Sequence, residues 1–293
     1  MKGYLLAAAV VAIPVHAEWF AGKDPLTRAH QLLLQGEVST SFEQMVQIWQ
    51  QQPETLVADN LTELLSASIG LDCGRVLTAH TLPEWLSELA VQREAVQHVN
   101  QLNYSVTVQG AASVNSLAIE LQRWPDEVIV SGRTAVSRSG KFKISFHHLS
   151  ETLPRGLYRL AVNSANKGEW SQWLILGEAP KVQRISWVDT YQWRIENNKL
   201  PLKACPAPML EQAVFPIDRL YQQVVWEQKD QGKLPRIFDP DDTKLKPGQY
   251  WLSVGLVDSR WQGDVKVQEV QRLIKPTEVH PPATIIEVTN LAF

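Results

Sequence analysis

Four groups of residues in this 293-residue chain combine types and spacing that could do chemistry: an acidic run, a histidine pair, an aromatic stripe and two cysteines. Asp239-Pro240-Asp241-Asp242 offers the hard oxygen ligands that calcium prefers. Lys244 stands where an EF-hand loop needs Gly, however, and Tyr250 where it needs the bidentate Glu, so a solvated turn is the expected reading. His147 and His148 are neighbours in a strand-like run and would point to opposite faces, which keeps their imidazoles from sharing a metal ion. No nucleophile elbow, zinc-binding His-Glu-x-x-His helix, Walker loop or dinucleotide fingerprint occurs. No catalytic residue, metal ligand or cofactor is therefore assigned, and a hydrolase ranks only third among the functional expectations.

Aromatic residues carry a better case for binding, since the chain has 11 Trp. Read as one strand, Ser186–Trp193 puts Trp187, Tyr191 and Trp193 on one face together with Asp189. If that face is exposed, flat rings beside a carboxylate suit stacking on sugars. If it is buried, the same rings are core. Cys73 and Cys205 are the only cysteines. With no Cys-x-x-Cys motif and too few thiols for a zinc site, a disulfide is expected if the chain is exported to an oxidising compartment.

Export is what the N-terminus predicts. Lys2 precedes the apolar run Tyr4–Ala12, which falls short of the roughly 20 residues needed to span a bilayer. Pro14 and Val15-His16-Ala17 follow as a cleavage pattern before Glu18, so residues 1–17 read as a secretory leader. A periplasmic or secreted chain without a membrane span is the expectation. Hydrophobic residues at 44% and charged residues at 20% suit an ordinary globular core. The formal net charge of −3, without a basic block, argues against nucleic acid.

Helical signals come first. Asp24-Pro25 caps a segment with Leu26, Ala29, Leu32 and Leu33 on one face, stopped by Gly36. Thr40–Glu43 reads as a capping box ahead of Phe42, Met45, Val46 and Trp49. After Pro53, Val57, Leu61, Leu64, Leu65 and Ser68 recur at helical spacing. A further capping box, Thr81–Glu84, predicts a fourth helix carrying Trp85, Leu86, Leu89, Val96 and Val99. The phrase LLLQGEVSTSFEQMVQIWQQQPE resembles tetratricopeptide-type repeats, yet two uneven pairs fall short of the copies such a stack needs, and a small helical bundle is expected.

Beyond residue 102 the period becomes alternating, with strands predicted at 104–110, 117–123, 126–132, 141–149, 156–162 and 169–176 and more from Val182 to Leu273. A shift of 92 residues then aligns Gly140, Lys141, Phe146, Leu153, Gly156, Tyr158, Leu160 and Val162 with Gly232, Lys233, Phe238, Leu245, Gly248, Tyr250, Leu252 and Val254. LPRGLYRLAV and LKPGQYWLSV resemble the tyrosine corner of immunoglobulin-like and fibronectin-like sandwiches. The expected fold class is thus α+β. A helical domain at 18–102 precedes sandwiches at 103–179 and 181–275, with a Pro-rich linker and a last strand at 276–293. Lys275-Pro276 and His280-Pro281-Pro282 make that linker, and ATIIEVTNLAF the strand.

Taken together, the leader, LLLQGEVSTSFEQMVQIWQ, LDCG and PRGLYRLAV resemble a family of uncharacterised exported proteins of vibrios, associated with a two-component system that responds to cell-wall damage. The resemblance implies an accessory role in the envelope and supplies no site residues. The functional expectation is a non-enzymatic periplasmic protein that binds or scaffolds envelope protein partners. A glycan or peptidoglycan binder using Trp187, Asp189, Tyr191 and Trp193 is the runner-up.

Overall fold

Asp24 caps α1 (Pro25–Leu34) as expected, its carboxylate accepting the Thr27 N–H at 3.0 Å. The computed structural model describes residues 24–178, 184–196, 203–232 and 234–280. The expected leader, residues 1–17, and the expected strand ATIIEVTNLAF lie outside them. α2 (Val38–Gln50) starts ahead of the supposed capping box, which puts Thr40–Glu43 inside the helix. Ser41 instead donates its buried hydroxyl to the Ala29 carbonyl at 2.7 Å, tying α2 to α1. α3 (Thr55–Asp72) completes the bundle. Phe42, Met45, Trp49, Leu61 and Leu65 pack with Leu157 and Ile175 from the strands that follow, so the helices form a layer on a sheet.

Among the described residues the expected fourth helix does not form. Residues 86–97, expected to be helical, are β1 (Leu86–Gln97). Leu89 and Val91 alternate inward, but the next inward position is Arg93, and a bulge between Leu86 and Glu88 puts a second break in the alternation. A charged residue on the core side hid the period of two.

The other strands are β2 (Leu102–Ala112), β3 (Ser116–Arg123), β4 (Glu127–Ala135), β5 (Lys141–Leu149), β6 (Gly156–Ser164), β7 (Gly168–Leu176), β8 (Ile185–Trp187), β9 (Trp193–Ile195), β10 (Met209–Pro216), β11 (Trp226–Gln231), β12 (Gly248–Gln262) and β13 (Val265–Val279). They form a seven-stranded sheet in the order β11-β10-β12-β13-β1-β2-β5, a four-stranded sheet β4-β3-β6-β7 and the pair β8-β9. The repeat seen in the sequence is a repeat in space, because β11-β10-β12-β13 reproduces the order β4-β3-β6-β7. Opposite them, β1-β2-β5 has its counterpart in β8-β9 and the bridge from Gln192 to Ile237. Both tyrosine corners are present: Tyr158 donates to the Pro154 carbonyl at 2.7 Å and Tyr250 to the Lys246 carbonyl at 2.8 Å.

The two units are not strung end to end. β13 of the second unit pairs in parallel with β1 of the first, from Leu89↔Val265 to Gln97↔Leu273, and fuses them into one sheet. Residues 86–97 therefore belong to the first β-unit. Lys275-Pro276 is strand, not linker: β13 continues against β12 to Val279, and Pro276 lies past the last β1 partner, where a missing N–H leaves no ladder bond open.

Candidate functional site

The aromatic stripe is a hairpin. β8 and β9 pair Trp187 with Trp193 across the strands, their rings 6.1 Å apart and edge to face. Trp193 is 2% exposed and donates its indole N–H to the Pro235 carbonyl at 3.0 Å. Trp187 is covered by the Lys275 ammonium, 4.0 Å from its ring centre, and the same amine donates to the Asp189 carbonyl. Tyr191 gives its hydroxyl to the Glu278 carbonyl at 2.6 Å. Trp193 belongs to the core of the second unit, with Trp187 and Tyr191 half-buried against it and Asp189 exposed, so the four residues expected to share a glycan-binding face are divided between core and surface. Asp239 accepts the Asp241 N–H at the start of a solvent-facing 3-10 turn, Asp241–Thr243. Among the described residues no group of three His, Cys, Asp or Glu is placed to hold a metal ion.

The cysteines do meet. Cys73 and Cys205 are bonded across 132 residues, joining the end of α3 to the second unit. Main-chain bonds reinforce the junction, from Trp261 N–H to the Cys73 carbonyl and from Gly263 N–H to the Gly74 carbonyl, both 2.9 Å. Gly74 has φ +82° there, and a Cβ would stand 2.0 Å from the Trp261 carbonyl oxygen, so only glycine permits the approach. The junction lays the Arg75 guanidinium over the Trp261 ring, 3.7 Å from its centre.

Trp261 lines a cleft of about 1160 Å³ on the face of the large sheet turned away from the apolar cores of both units. Lys143 of edge strand β5 and Lys229 of edge strand β11 line the same space. His147 of β5 stacks on Tyr221 of the β10–β11 loop, ring centres 6.0 Å apart. A sheet whose opposite edges share one cavity is curled into a trough. Curvature also accounts for the burial of Thr107, Ser105, Val257 and Val270 on a face that no other sheet covers.

Register places the floor residues in rows. One row reads Lys143, Gln109, Ala90, Lys266, Trp261 across β5, β2, β1, β13 and β12. The next reads Ser145, Thr107, Gln92, Gln268, Ser259, five uncharged hydrogen-bonding side chains abreast. Thr107 and Ser145 share a bond of 2.8 Å, and Gln268 donates to Ser259 at 3.2 Å. Deeper along the floor, Arg272 reaches Glu94 at 2.5 Å and Glu211 at 3.0 Å. It lies over Gly255, where a Cβ would meet the guanidinium at 2.9 Å. Burial pushes the Glu94 carboxyl up, but Arg272 and Ser105 outweigh it and hold the group below its ordinary range.

A family model described as a protein of unknown function, DUF2861, matches residues 19–278. The chain belongs to that family. No curated protein matches it. Among solved structures, the DUF2861 chain is similar to one titled "Biofilm associated protein - BSP domain", at 13% identity and a TM-score of 0.21. The match covers 67% of this chain and 30% of that one, so the chain spans less than a third of that structure's length.

On the core side of the same seam, Arg93 donates its Nε–H to Glu269 at 3.0 Å and its other nitrogens to Glu269 and to the Leu153 and Gly177 carbonyls. Arg260 reaches the same carboxylate at 3.1 Å. The DUF2861 chain thus has ion pairs on both faces of the β1–β13 junction. Sequence reading missed them because the partners, such as Arg93 and Glu269, stand 176 residues apart. Lysines at 141 and 143 with Gln109 are the one local signal: alternate polar residues on strands otherwise apolar.

Proposed function

We propose that this chain is an exported, non-enzymatic accessory protein of the cell envelope, built from two fused immunoglobulin-like sandwiches, whose working surface is the trough. The strand orders and the two tyrosine corners support the immunoglobulin-like reading. The single observation that carries the binding function is the curled, polar sheet face. Its volume exceeds the roughly 300–1,000 Å³ of small-molecule sites, and its floor offers hydrogen-bonding groups where an unused sheet face would be freely solvated. Binding is favoured over catalysis because the carboxylates on both faces of the seam, Glu94 and Glu269, are each held in an ion pair by a guanidinium of the protein itself. Likeness to the exported vibrio proteins supports a place in the response to wall damage.

A photocrosslinking residue at Gln109, on the trough floor, compared with one at Glu120, on the four-stranded sheet, tests this in intact cells. The expected result is a crosslinked envelope component, protein or glycan, from the Gln109 position and not from Glu120. Identical products from both, or none from either, overturn the reading.

A further inference from the structure

The trough's charges are unevenly used. Lys141 is bound to Glu88 at 2.7 Å, Lys229 lies 3.5 Å from Glu211, and Arg75 is stacked on Trp261. Lys143 and Lys266 remain outside any ion pair among the described residues, Lys266 lying 5.6 Å from the Trp261 ring centre; of the carboxylates in the same cleft, Glu88 is taken by Lys141 and Asp264 accepts the Leu82 N–H, while Glu84 also lines it. The two lysines flank Gln109 and Ala90 in a single row, and the small Ala90 side chain leaves space between them. Three strand spacings separate them, about 14 Å along the sheet. Two ammonium groups that far apart suit a ligand with several acid groups, not one small anion.

The neighbouring row decides what else the ligand carries. In it Gln92, Ser145 and Ser259 are half-buried and both donate and accept, which matches hydroxyl groups, themselves donors and acceptors; Thr107 and Gln268 are buried and brace Ser145 and Ser259 by hydrogen bonds. The Gln92 amide points from the same face without a protein partner among the described residues. A peptide would need a strand edge or apolar side-chain pockets. The exposed edge strand β11 reads WEQKDQ, and the stretch between Lys143 and Lys266 carries only Gln109 and Ala90, the apolar residues of the cleft such as Leu82, Pro83, Leu86 and Trp261 lying outside that stretch.

Resting on the binding role of the trough, we infer that its ligand is an acidic glycan: a hydroxyl-rich chain bearing repeated carboxylates that Lys143 and Lys266 neutralise while the Gln92 row reads its hydroxyls. The test is calorimetric titration of the mature full chain with a galacturonic acid hexamer, with the neutral cellohexaose and with a polyglutamate peptide. The uronate hexamer is expected to bind, to weaken as salt rises, and to weaken about tenfold or more in Lys143→Gln/Lys266→Gln. Gln92→Ala is expected to lower affinity while leaving the salt dependence unchanged. An unchanged melting temperature in each variant shows that the fold is kept. Equal binding of cellohexaose, equal or tighter binding of polyglutamate, or no binding of the uronate overturns the inference. If crosslinking at Gln109 still captures a component while the uronate fails, the trough is a binding site and its ligand is of another class.

Discussion

At the scale of single residues, the strongest commitments of this molecule are charges taken out of water. The Arg93 side chain is 4% exposed and that of Glu269 10%, on adjacent strands of the fused sheet. Glu269 holds both Arg93 and Arg260, so removing it strands two guanidinium groups, which costs about 3–5 kcal/mol or more, whereas replacing the whole cluster by apolar groups of similar volume is often nearly neutral. Glu269→Met is therefore expected to lower unfolding stability by at least about 3–5 kcal/mol, and the further changes Arg93→Met and Arg260→Met to recover most of it; urea unfolding of the three proteins measures both. A triple variant no more stable than the single one would contradict this. Glu94 sets a pH dependence. Its folded carboxyl is held below the ordinary value of 4.5, so the stability it contributes is fully present above that pH and is lost as pH falls through the lower folded value. Glu94→Gln should flatten the acid limb of the stability profile below about pH 4.5 and leave Arg272 short of one partner at neutral pH.

Elements show where local sequence information suffices and where it fails. The strands from 104 to 176 were legible because apolar and polar residues alternate there, and the tyrosine corners were legible because Gly-x-Tyr-x-Leu-x-Val recurs with a fixed spacing. Each hydroxyl bonds the carbonyl four residues back, yet Tyr158 is fully buried and Tyr250 is not. A buried hydrogen bond contributes about 0.5–1.5 kcal/mol net, and leaving an acceptor unsatisfied adds to the loss. Tyr158→Phe is accordingly expected to cost more than Tyr250→Phe in chemical denaturation; equal costs would show that the two corners are energetically alike. β1 was illegible for the opposite reason. Its inward Arg93 is tolerated only because Glu269 waits on β13, and no window of local sequence contains that fact. The Trp187–Trp193 segment misleads similarly: the chain reverses between its two Trp residues, which pair across a hairpin, so strand alternation does not run from one to the other. The rows of the trough were beyond reach because they assemble from five strands.

For the whole molecule the decisive feature is that β13 serves two units. It lies beside β12 in the second unit and supplies β1 with its parallel neighbour, while the Cys73–Cys205 bond ties the helical layer to the same second unit. Independent tandem β-units would each fold alone; fused ones should not. A fragment covering residues 24–178, with Cys73→Ser, retains the helices and the four-stranded sheet but loses Val265 and Val267, both fully buried in the first core. It also leaves the main-chain groups of β1 unpaired along one side and Arg93 buried without a carboxylate. The last of these alone costs about 3–5 kcal/mol, against a total stability of about 5–15 kcal/mol for an ordinary domain. The fragment is therefore expected to lack fixed side-chain packing, seen as a weak near-ultraviolet dichroism spectrum and a broad thermal transition, with Arg93→Met restoring part of the cooperativity. A sharp transition from the unmodified fragment would mean that the first unit is self-sufficient. The trough would then be a docking seam between two separable bodies, not the floor of a single sheet.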